Sequence, residues 1–528
     1  MAVQIGRLGG LSVLAVIGVL FATALPVDAE TLEFESRQRR PVKEQSLRDH
    51  VTEQTMRWQP EQTAVVVCDM WDQHWCHGAT RRVAEMAPRM NEVLKAVRDA
   101  GGLIIHCPSS CMDHYRDTPQ RQLAVQAPKS EVKRPLQPWC HLDLERERSL
   151  PIDDSDGGCD CLPASPHGSP WTRQIDTLEI GAGDAITDSD EAYHLMKHRG
   201  IKNVLVMGVH TNMCVLGRPF SIRQLVYQGL NVVLVRDMTD TMYNPRMYPF
   251  VNHHTGTDLV VEHIERHWCP TTTSDQLIGG EEFRFKSDHR KQLVAVIGEQ
   301  EYHTNRTLPD FCRRMLASDF RLRFVYADES DGNHFPGIEA VADADVLLLS
   351  VRRRLLKQPQ LAVIRQYVSD GKPVVAVRTS SHAFSPRSGT VEEGRDMWPE
   401  FDAMVLGGNY QGHHNNKLPS DPLTFVHADA DQRAHPIMKA VRPDEFPVAS
   451  WLYKVSPLAP STLPLVWGRV EGREPREPVA WTNEAESGSR VFYTSMGHPE
   501  DFRLPAFQRM LTNAVHWAAG TQESKAIR

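Results

Sequence analysis

Short apolar runs rich in β-branched residues alternate along this chain with segments of helical periodicity. The first run, Thr63 to Asp69, is followed by apolar residues at three- and four-residue spacing between Val83 and Val97. A run without polar alternation suits a strand covered on both faces, as in a parallel sheet. Such strands alternating with helices predict an α/β fold of three-layer α/β/α domains, whose sheets are mostly parallel.

The alternation occurs in two blocks separated by a polar stretch from Thr271 to Glu282. The other strands of the first block are predicted at 103–107, 203–209 and 231–236, with a turn at 210–214 and a helix over 215–228. Strands of the second block are predicted at 293–298, 322–326, 345–351, 373–378 and 489–495. A chain of 528 residues has room for two such domains. We predict an N-terminal extension (30–59), a first domain (60–270), a linker (271–289) and a second domain (290–522).

The first thirty residues differ from the rest. Arg7 precedes an apolar run from Leu8 to Leu25, and Val27-Asp28-Ala29 supplies small residues before a cleavage site. This pattern predicts a secretory signal peptide over residues 1–29. An uncleaved anchor is the alternative, since ~17 apolar residues is near the lower limit for crossing a bilayer. We therefore expect a periplasmic or secreted protein that leaves the membrane once the signal is removed.

Net charge argues against one class of partner. The chain has 59 Lys and Arg residues against 67 Asp and Glu residues, a net charge of −8. Nucleic-acid binders usually carry a basic surplus, which is lacking here. We expect a small molecule as the substrate, and homo-oligomerisation stays an open alternative.

Ten cysteines follow the signal, and nine of them fall between Cys68 and Cys269. An exported protein can form disulfides. The candidate pairs are Cys159 or Cys161 with Cys140, and Cys107 with Cys111. A zinc site is less well supported, because no paired CxxC motifs occur at zinc-finger spacing.

Two candidate catalytic residues follow predicted strands. Asp69 ends the first strand, and Cys214 follows the 203–209 strand at the start of a helix. Ligands of open α/β sheets bind beyond the carboxyl ends of the strands. A helix N-terminus stabilises a thiolate, a carboxylate can accept the thiol proton, and N–H groups of the 210–214 turn can hold an oxyanion. The alternative is a buried structural thiol and an acid that caps a turn.

The segment 204–215, V-L-V-M-G-V-H-T-N-M-C-V, resembles the G-V-x-T-x-x-C-V signature of isochorismatase-like cysteine hydrolases, a family that includes nicotinamidases. Val65 to Asp69 is similar to the family's opening strand, and the resemblance covers about residues 60–270. It implies a Rossmann-like fold, Cys214 as nucleophile and Asp69 as general base. It also implies a cis peptide bond on one side of Thr211. Many members hydrolyse a C–N bond of a small amide through a thioester.

The chain departs from this family at the third catalytic residue, a Lys expected near Gly181 or Ala182, where no cation occurs. Arg173 is the nearest basic residue before that point, and we hypothesise that it holds the Asp–Cys pair by its charge. A domain that binds without hydrolysing is the competing hypothesis. The candidate substrate contacts in this domain are Trp71, His210, Thr211 and Met213.

No cofactor is firmly expected, and a divalent metal is left as an open alternative. Nicotinamidases carry a metal on a D-x-H…H set, and the nearest counterpart here, His106 with Asp113 and His114, has a different spacing. The acidic segment 150–160 resembles the start of a calcium loop but lacks its closing Glu.

The second block resembles the ThuA-like (trehalose-utilisation) family, most specifically over Gly488 to His498 with Trp517-Ala518. The resemblance implies a fold like that of class I glutamine amidotransferases. Those enzymes place a nucleophilic Cys after the strand that here spans 373–378, where this chain continues Thr379-Ser380-Ser381-His382. Glutamine hydrolysis is therefore not expected.

Loop histidines of the second domain are candidate contacts for a sugar or a metal, namely His382, His413, His414 and His498. The leading function is amide hydrolysis by Asp69 and Cys214. The alternative is a non-catalytic binding or scaffold protein in carbohydrate utilisation.

Overall fold

A computed structural model describes residues 31–44, 46–387, 391–414, 424–473 and 476–523. The predicted signal peptide lies outside the described residues. None of the helices in these ranges combines the length and the apolar character that crossing a bilayer would need.

The first domain is built on one eight-stranded sheet. Its strands are β1 (Leu32–Pro41), β2 (Asp49–Trp58), β3 (Thr63–Cys68), β4 (Leu103–Cys107), β5 (Ala185–Ile186), β6 (Asn203–Val209), β7 (Asn231–Asp240) and β8 (Thr271–Thr272). Its helices are α1 (His77–Asp99), α2 (Met112–Tyr115), α3 (Pro119–Val125), α4 (Glu191–His198), α5 (Cys214–Gly217), α6 (Ile222–Tyr227), α7 (His253–His267) and α8 (Ser274–Ile278). The strand order is β2-β1-β8-β7-β6-β3-β4-β5. The strands from β8 to β5 are parallel, and β1 is antiparallel to both of its neighbours.

The side chains of β3 show why this strand must lie between two layers of helices. Val65 and Val67 pack in a core with α1, whereas Ala64 and Val66 pack in a second core with α4 and α7. Successive side chains of a strand point to opposite faces, so a continuous apolar run fills both cores. The predicted three-layer α/β/α class is confirmed for this domain.

Three parts of the first domain differ from the predicted elements. The extension before residue 60 forms the β1–β2 hairpin, and the start of the predicted linker supplies β8 and α8 to the same domain. The predicted 215–228 helix is divided into α5 and α6. Pro219 lies in the gap and has no N–H to continue a helix. The break leaves Arg218 in extended backbone directly after α5.

The second domain has a nine-stranded sheet. Its strands are β9 (Lys291–Gly298), β10 (Phe320–Tyr326), β11 (Val346–Val351), β12 (Val374–Val377), β13 (Thr424–Ala428), β14 (Glu445–Val448), β15 (Thr462–Val470), β16 (Glu477–Glu484) and β17 (Arg490–Thr494). Its helices are α9 (Thr304–Met315), α10 (Gln358–Ser369) and α11 (Pro505–Ala519). The order is β10-β9-β11-β12-β17-β16-β15-β13-β14, parallel as far as β17 and antiparallel beyond it. Alternate residues of β9 pack towards α9 and α11 on one face and towards α10 on the other.

Candidate active site

Asp69 stands at the carboxyl end of β3 and is fully buried. Its φ of 48° turns the chain out of the strand. The Ser109 N–H donates to Oδ1 at 2.8 Å, while Oδ2 has no well-oriented hydrogen bond to a described residue. Burial raises the pKa of Asp69, and the Arg218 guanidinium opposes that shift. The carboxyl group therefore has one oxygen free to accept a proton.

Cys214 is the first residue of α5, directly after the turn that follows β6, and keeps 9% of its surface exposed. Its thiol interacts with both the Asp69 carboxyl group and the Arg218 guanidinium. Burial and the Asp69 charge raise the pKa of Cys214 well above its ordinary value, and Arg218 opposes this. The sulfur is thus a neutral thiol beside a carboxylate that can deprotonate it.

Arg218 supplies the positive charge of this group. Its Nε lies 3.6 Å from Asp69 Oδ2, and its guanidinium lies 5.6 Å from the centre of the Trp139 ring. The Arg218 N–H donates to the Cys214 carbonyl at 3.1 Å, so the two residues are one helical turn apart. Burial lowers the pKa of Arg218, but the Asp69 charge and the neighbouring Cys214 sulfur raise it above its ordinary value.

The expectation that Arg173 fills this role is wrong. Arg173 donates to Asp176 at 2.8 Å and lies 3.6 Å from Asp72, on a partly exposed surface. The family pattern places the cation before the signature, whereas Arg218 follows it. The signal was present as the four-residue spacing between Cys214 and Arg218, which brings two side chains to one face of a helical turn.

The turn before Cys214 contains the cis peptide bond, but at Val209–His210 rather than beside Thr211 on either side. The Met213 and Val215 N–H groups both donate to the His210 carbonyl, at 3.0 and 3.2 Å. The Cys214 N–H has no backbone acceptor within the described ranges. It is therefore available as an oxyanion donor next to its own sulfur.

Two of the predicted substrate contacts, Thr211 and Met213, belong to the turn before Cys214. Thr211 is fully buried, with its N–H bonded to the Asp240 carbonyl and its hydroxyl 2.7 Å from that of Thr239. Met213 packs in an apolar cluster with Cys76 and Met242. Thr211 therefore shapes the turn, whereas Met213 is partly exposed and stays a predicted substrate contact.

The other two predicted contacts belong to an aromatic group beside Asp69. The Trp71 indole N–H donates to the carbonyl of Ser109, whose N–H donates to Asp69. The Trp71 ring stacks on the partly buried Trp171 ring, with centres 4.6 Å apart. His210 is buried against His74, 4.9 Å between ring centres, and its Nε2 has no hydrogen-bond partner among the described residues.

The metal ligands suggested by the sequence do not come together. His106 is buried between Gln174 and Asp184, at 2.9 and 3.0 Å, whereas Asp113 pairs with Arg116. In the acidic segment, Asp154 and Asp156 accept hydrogen bonds of 2.6 Å from the side chains of Asn212 and Asn244. These carboxylates hold the segment to the first domain and are not gathered around a common point.

The predicted disulfides are not formed. All ten cysteines lie in the described part of the chain, and all ten are free thiols. Cys140 donates to the Gln224 side chain at 3.3 Å, and Cys107 donates to the Ile105 carbonyl in β4. Cys159 and Cys161 lie instead near Cys76.

A cavity of 730 Å³ opens in the second domain and brings two of the predicted histidines together. His382 and His413 both line it, with Asp402 and Tyr410, which the sequence did not single out. The His382 and Tyr410 rings stack at 4.4 Å. Burial raises the pKa of Asp402 to about 7, and its Oδ1 has no hydrogen-bond partner among the described residues.

The remaining two histidines have other positions. His498 lies beside the Tyr302 ring at 6.1 Å between centres, and its N–H donates to Asp501. The cavity lining does not include it. His414 Nε2 lies 3.0 Å from the Glu477 carboxylate.

Arg378 occupies the turn directly after β12. Its φ is 51°, and its buried guanidinium lies between the rings of Tyr302 and Tyr453, at 4.5 and 4.4 Å. It donates to the carbonyl of Ser495 at 2.6 Å. The turn after β12, residues 378–382, therefore carries a permanently charged side chain and no thiol.

Comparison with known proteins identifies the second domain. Residues 293–518 match the ThuA family, described as trehalose utilisation. A ThuA-like protein from Bacteroides uniformis is structurally similar at 18% identity and a TM-score of 0.34, over 46% of this chain and 95% of that chain. The family match over residues 293–518 confirms the resemblance to the ThuA family.

Cysteine hydrolases are also among the similar structures. A cysteine hydrolase from Pseudomonas syringae pv. phaseolicola is 18% identical, with a TM-score of 0.27, over 42% of this chain and 94% of that chain. N-carbamoylsarcosine amidase from Thermoplasma acidophilum is 14% identical, with a TM-score of 0.23, over 40% of this chain and 97% of that chain. No curated protein sequence matches the chain.

Proposed function

We propose that this chain, which carries a ThuA domain, is a cysteine hydrolase that cleaves a C–N bond of a small amide in its first domain. The observation that carries the proposal is the buried contact of Asp69, Cys214 and Arg218. The strands before Asp69 and Cys214 are parallel neighbours, with Cys68 opposite Gly208 at their carboxyl ends. A base, a nucleophile and a fixed positive charge therefore meet at one edge of the sheet.

The three groups divide the reaction between them. Asp69 takes the proton of the Cys214 thiol, and the sulfur attacks the carbonyl carbon of the amide. The new C–S bond gives a tetrahedral oxyanion, which the Cys214 N–H stabilises. The C–N bond breaks as Asp69 returns the proton to the leaving amine. Water deprotonated by Asp69 then cleaves the thioester, and the released thiol recovers its proton.

Arg218 keeps one charge throughout this cycle. A guanidinium does not lose its proton in a protein, so it does not pass protons as a lysine can. Its contact with both Asp69 and Cys214 favours the ionised form of each. The role of Arg218 is electrostatic, and Asp69 alone carries the proton.

The aromatic group beside the site favours a flat substrate. Trp171 is partly exposed and lies on the buried Trp71, whose indole is fixed by its hydrogen bond to Ser109. A rigid aromatic surface of this kind suits contact with a planar ring or a planar carbamoyl group. The acceptable amides should therefore be small and planar near the reacting carbonyl.

The test is ammonia release from a panel of amides that includes nicotinamide and N-carbamoyl compounds, measured with the full chain. Mass spectrometry of the intact protein under turnover should reveal an acyl group on Cys214. The Cys312→Ser variant is a matched control, because Cys312 is a buried thiol on α9 of the second domain. Turnover that persists in Cys214→Ala, or an acyl group found on another residue, would overturn the proposal.

A binding function in carbohydrate utilisation is the second candidate, and one feature favours it. The 730 Å³ cavity offers His382, Asp402 and Tyr410 to a polar ligand, without a thiol in its lining. Stacking rings beside hydrogen-bonding side chains suit a sugar. Calorimetry with trehalose and other disaccharides tests this candidate, and binding weakened about tenfold by His382→Ala supports it.

We propose in addition that the chain acts outside the cytoplasm, on the strength of the Leu8 to Leu25 run and the small residues after it. Cell fractionation with N-terminal sequencing of the mature protein tests this. A start near residue 30 is expected, and an intact Met1 would contradict it.

A further inference from the structure

Three cysteine side chains outside the hydrolase site lie together at the start of α1. Cys76 directly precedes this helix, whereas Cys159 and Cys161 come from the long segment between α3 and β5. All three sulfur atoms lie within 4.8 Å of one another. Cys76 and Cys159 are buried, and Cys161 is partly exposed.

The spacing of the sulfurs suits a shared metal ion. The Cys76 sulfur lies 3.2 Å from that of Cys159 and 3.9 Å from that of Cys161. A disulfide needs sulfurs about 2.05 Å apart. Two thiolates bound to tetrahedral zinc at about 2.3 Å lie about 3.8 Å from one another. The Cys76–Cys161 distance matches this value, whereas the Cys76–Cys159 distance is shorter.

Each sulfur also receives backbone N–H groups. The Gly78 N–H donates to Cys161 at 3.2 Å, and the Ala79 N–H donates to Cys76. These two donors lie in the first turn of α1, whose N–H groups have no partner within the helix. The Cys159 sulfur also accepts from the N–H groups of Ser165 and Cys161. Such donors favour thiolates, the form that binds metals.

We propose that Cys76, Cys159 and Cys161 bind a thiophilic divalent cation of the zinc class. Three thiolates would be the protein ligands. The partial exposure of Cys161 leaves the fourth position open to a water molecule, as in zinc sites with three protein ligands. Asp160 lies 3.5 Å from the Cys76 sulfur but is paired with Arg82 at 2.8 Å, so it is a neighbour of the site and not a fourth ligand.

The position of the site explains what bound metal would stabilise. It would fasten the Cys159–Cys161 segment to the first turn of α1. Met213 and Met242 pack on the same cluster, and Asn212 exchanges hydrogen bonds of 3.0 and 3.1 Å with Met242. The metal would thus hold the segment against the turn that carries Cys214. The proposal does not depend on hydrolysis.

The experiment titrates the full, reduced, metal-free chain with Co²⁺ and then displaces it with Zn²⁺. We expect about one equivalent of Co²⁺, with sulfur-to-cobalt charge transfer and the intense visible bands of a tetrahedral ion. We expect at least about tenfold weaker Co²⁺ binding in each of three variants, Cys76→Ser, Cys159→Ser and Cys161→Ser. Loss of a group that only hydrogen-bonds to a metal ligand already lowers metal affinity by about that factor. Zn²⁺ should raise the melting temperature of the unmodified chain and not that of the variants.

Two further variants keep the test specific. Cys140→Ser removes a buried thiol elsewhere, and Cys214→Ser removes the thiol beside Asp69, so both should bind Co²⁺ like the unmodified chain. Because Cys161 is partly exposed, its variant should fold even where the buried positions do not tolerate Ser. Absence of the charge-transfer band in the unmodified chain would overturn the proposal. So would a Cys76–Cys159 disulfide in the isolated protein, or full binding by Cys161→Ser.

Discussion

The turns after β6 and after β12 occupy comparable places in their two sheets, but they carry opposite kinds of chemistry. The turn after β6 presents the Cys214 thiol beside the buried Asp69 carboxyl group, with 9% of the cysteine exposed. The turn after β12 presents Arg378, fixed between two tyrosine rings, and no thiol. A cavity of 730 Å³ opens next to the second turn.

This difference favours different functions for the two domains. The first domain has reactive groups in a confined and buried setting, where charges interact strongly. The second domain has a cavity, stacked aromatic rings and the Asp402 carboxyl group. The turn after its strand β12 carries Arg378, whose side chain cannot act as a nucleophile. We therefore expect bond cleavage in the first domain and ligand binding in the second.

The largest effect is expected for Cys214→Ala. It should lower amide turnover by at least about 1,000-fold, because the covalent intermediate can no longer form. Steady-state ammonia release is the measurement, and ligand affinity of the second domain should not change. A residual rate close to that of the unmodified chain would place the chemistry elsewhere.

Arg218 comes next. Arg218→Ala should lower kcat/KM by about 100-fold, since the transition state loses a buried positive charge. Arg218→Lys keeps a charge and should restore a substantial part of the rate. Arg173→Ala serves as the matched control and should remain near the unmodified rate, because Arg173 pairs with Asp72 and Asp176. A greater loss in Arg173→Ala than in Arg218→Ala would reverse our assignment.

A smaller effect is expected in the second domain. His382→Ala removes the ring that stacks on Tyr410 and should weaken sugar binding by about tenfold, within the range of aromatic pair energies. Calorimetry measures the affinity, and amide turnover should be unaffected. The contrast between the domains fails if this variant alters hydrolysis and leaves binding intact.

The smallest effect is on pH dependence. Burial raises the pKa of Asp69, and the base must be ionised, so activity should fall as the pH drops through that raised value. Arg218→Ala removes the charge that lowers this pKa and should move the acidic limb of kcat/KM up by about 1 pH unit. Arg218→Lys should leave the limb near its original position. A limb that moves to lower pH in Arg218→Ala would contradict the pairing.

The sequence predicted the strands that are buried on both faces better than any other element. The predicted bounds of 103–107 and 203–209 agree with β4 and β6, because such strands need unbroken apolar runs. The β1–β2 hairpin and the antiparallel strands β13 to β16 were not predicted. Their side chains mix polar and apolar residues, and their pairing depends on distant partners such as β8 and β17.

The pattern of residues along the chain was enough to establish two α/β domains and to indicate Asp69 and Cys214. Those features are local, since a strand, its end and the following helix start are contiguous. Packing between segments far apart in the chain decided two further features. These are the cation that lies beside Asp69 and the thiols that lie near Cys76. Charge and metal-binding geometry act through space, so Arg218 and the three-cysteine cluster emerged only when the chain was folded.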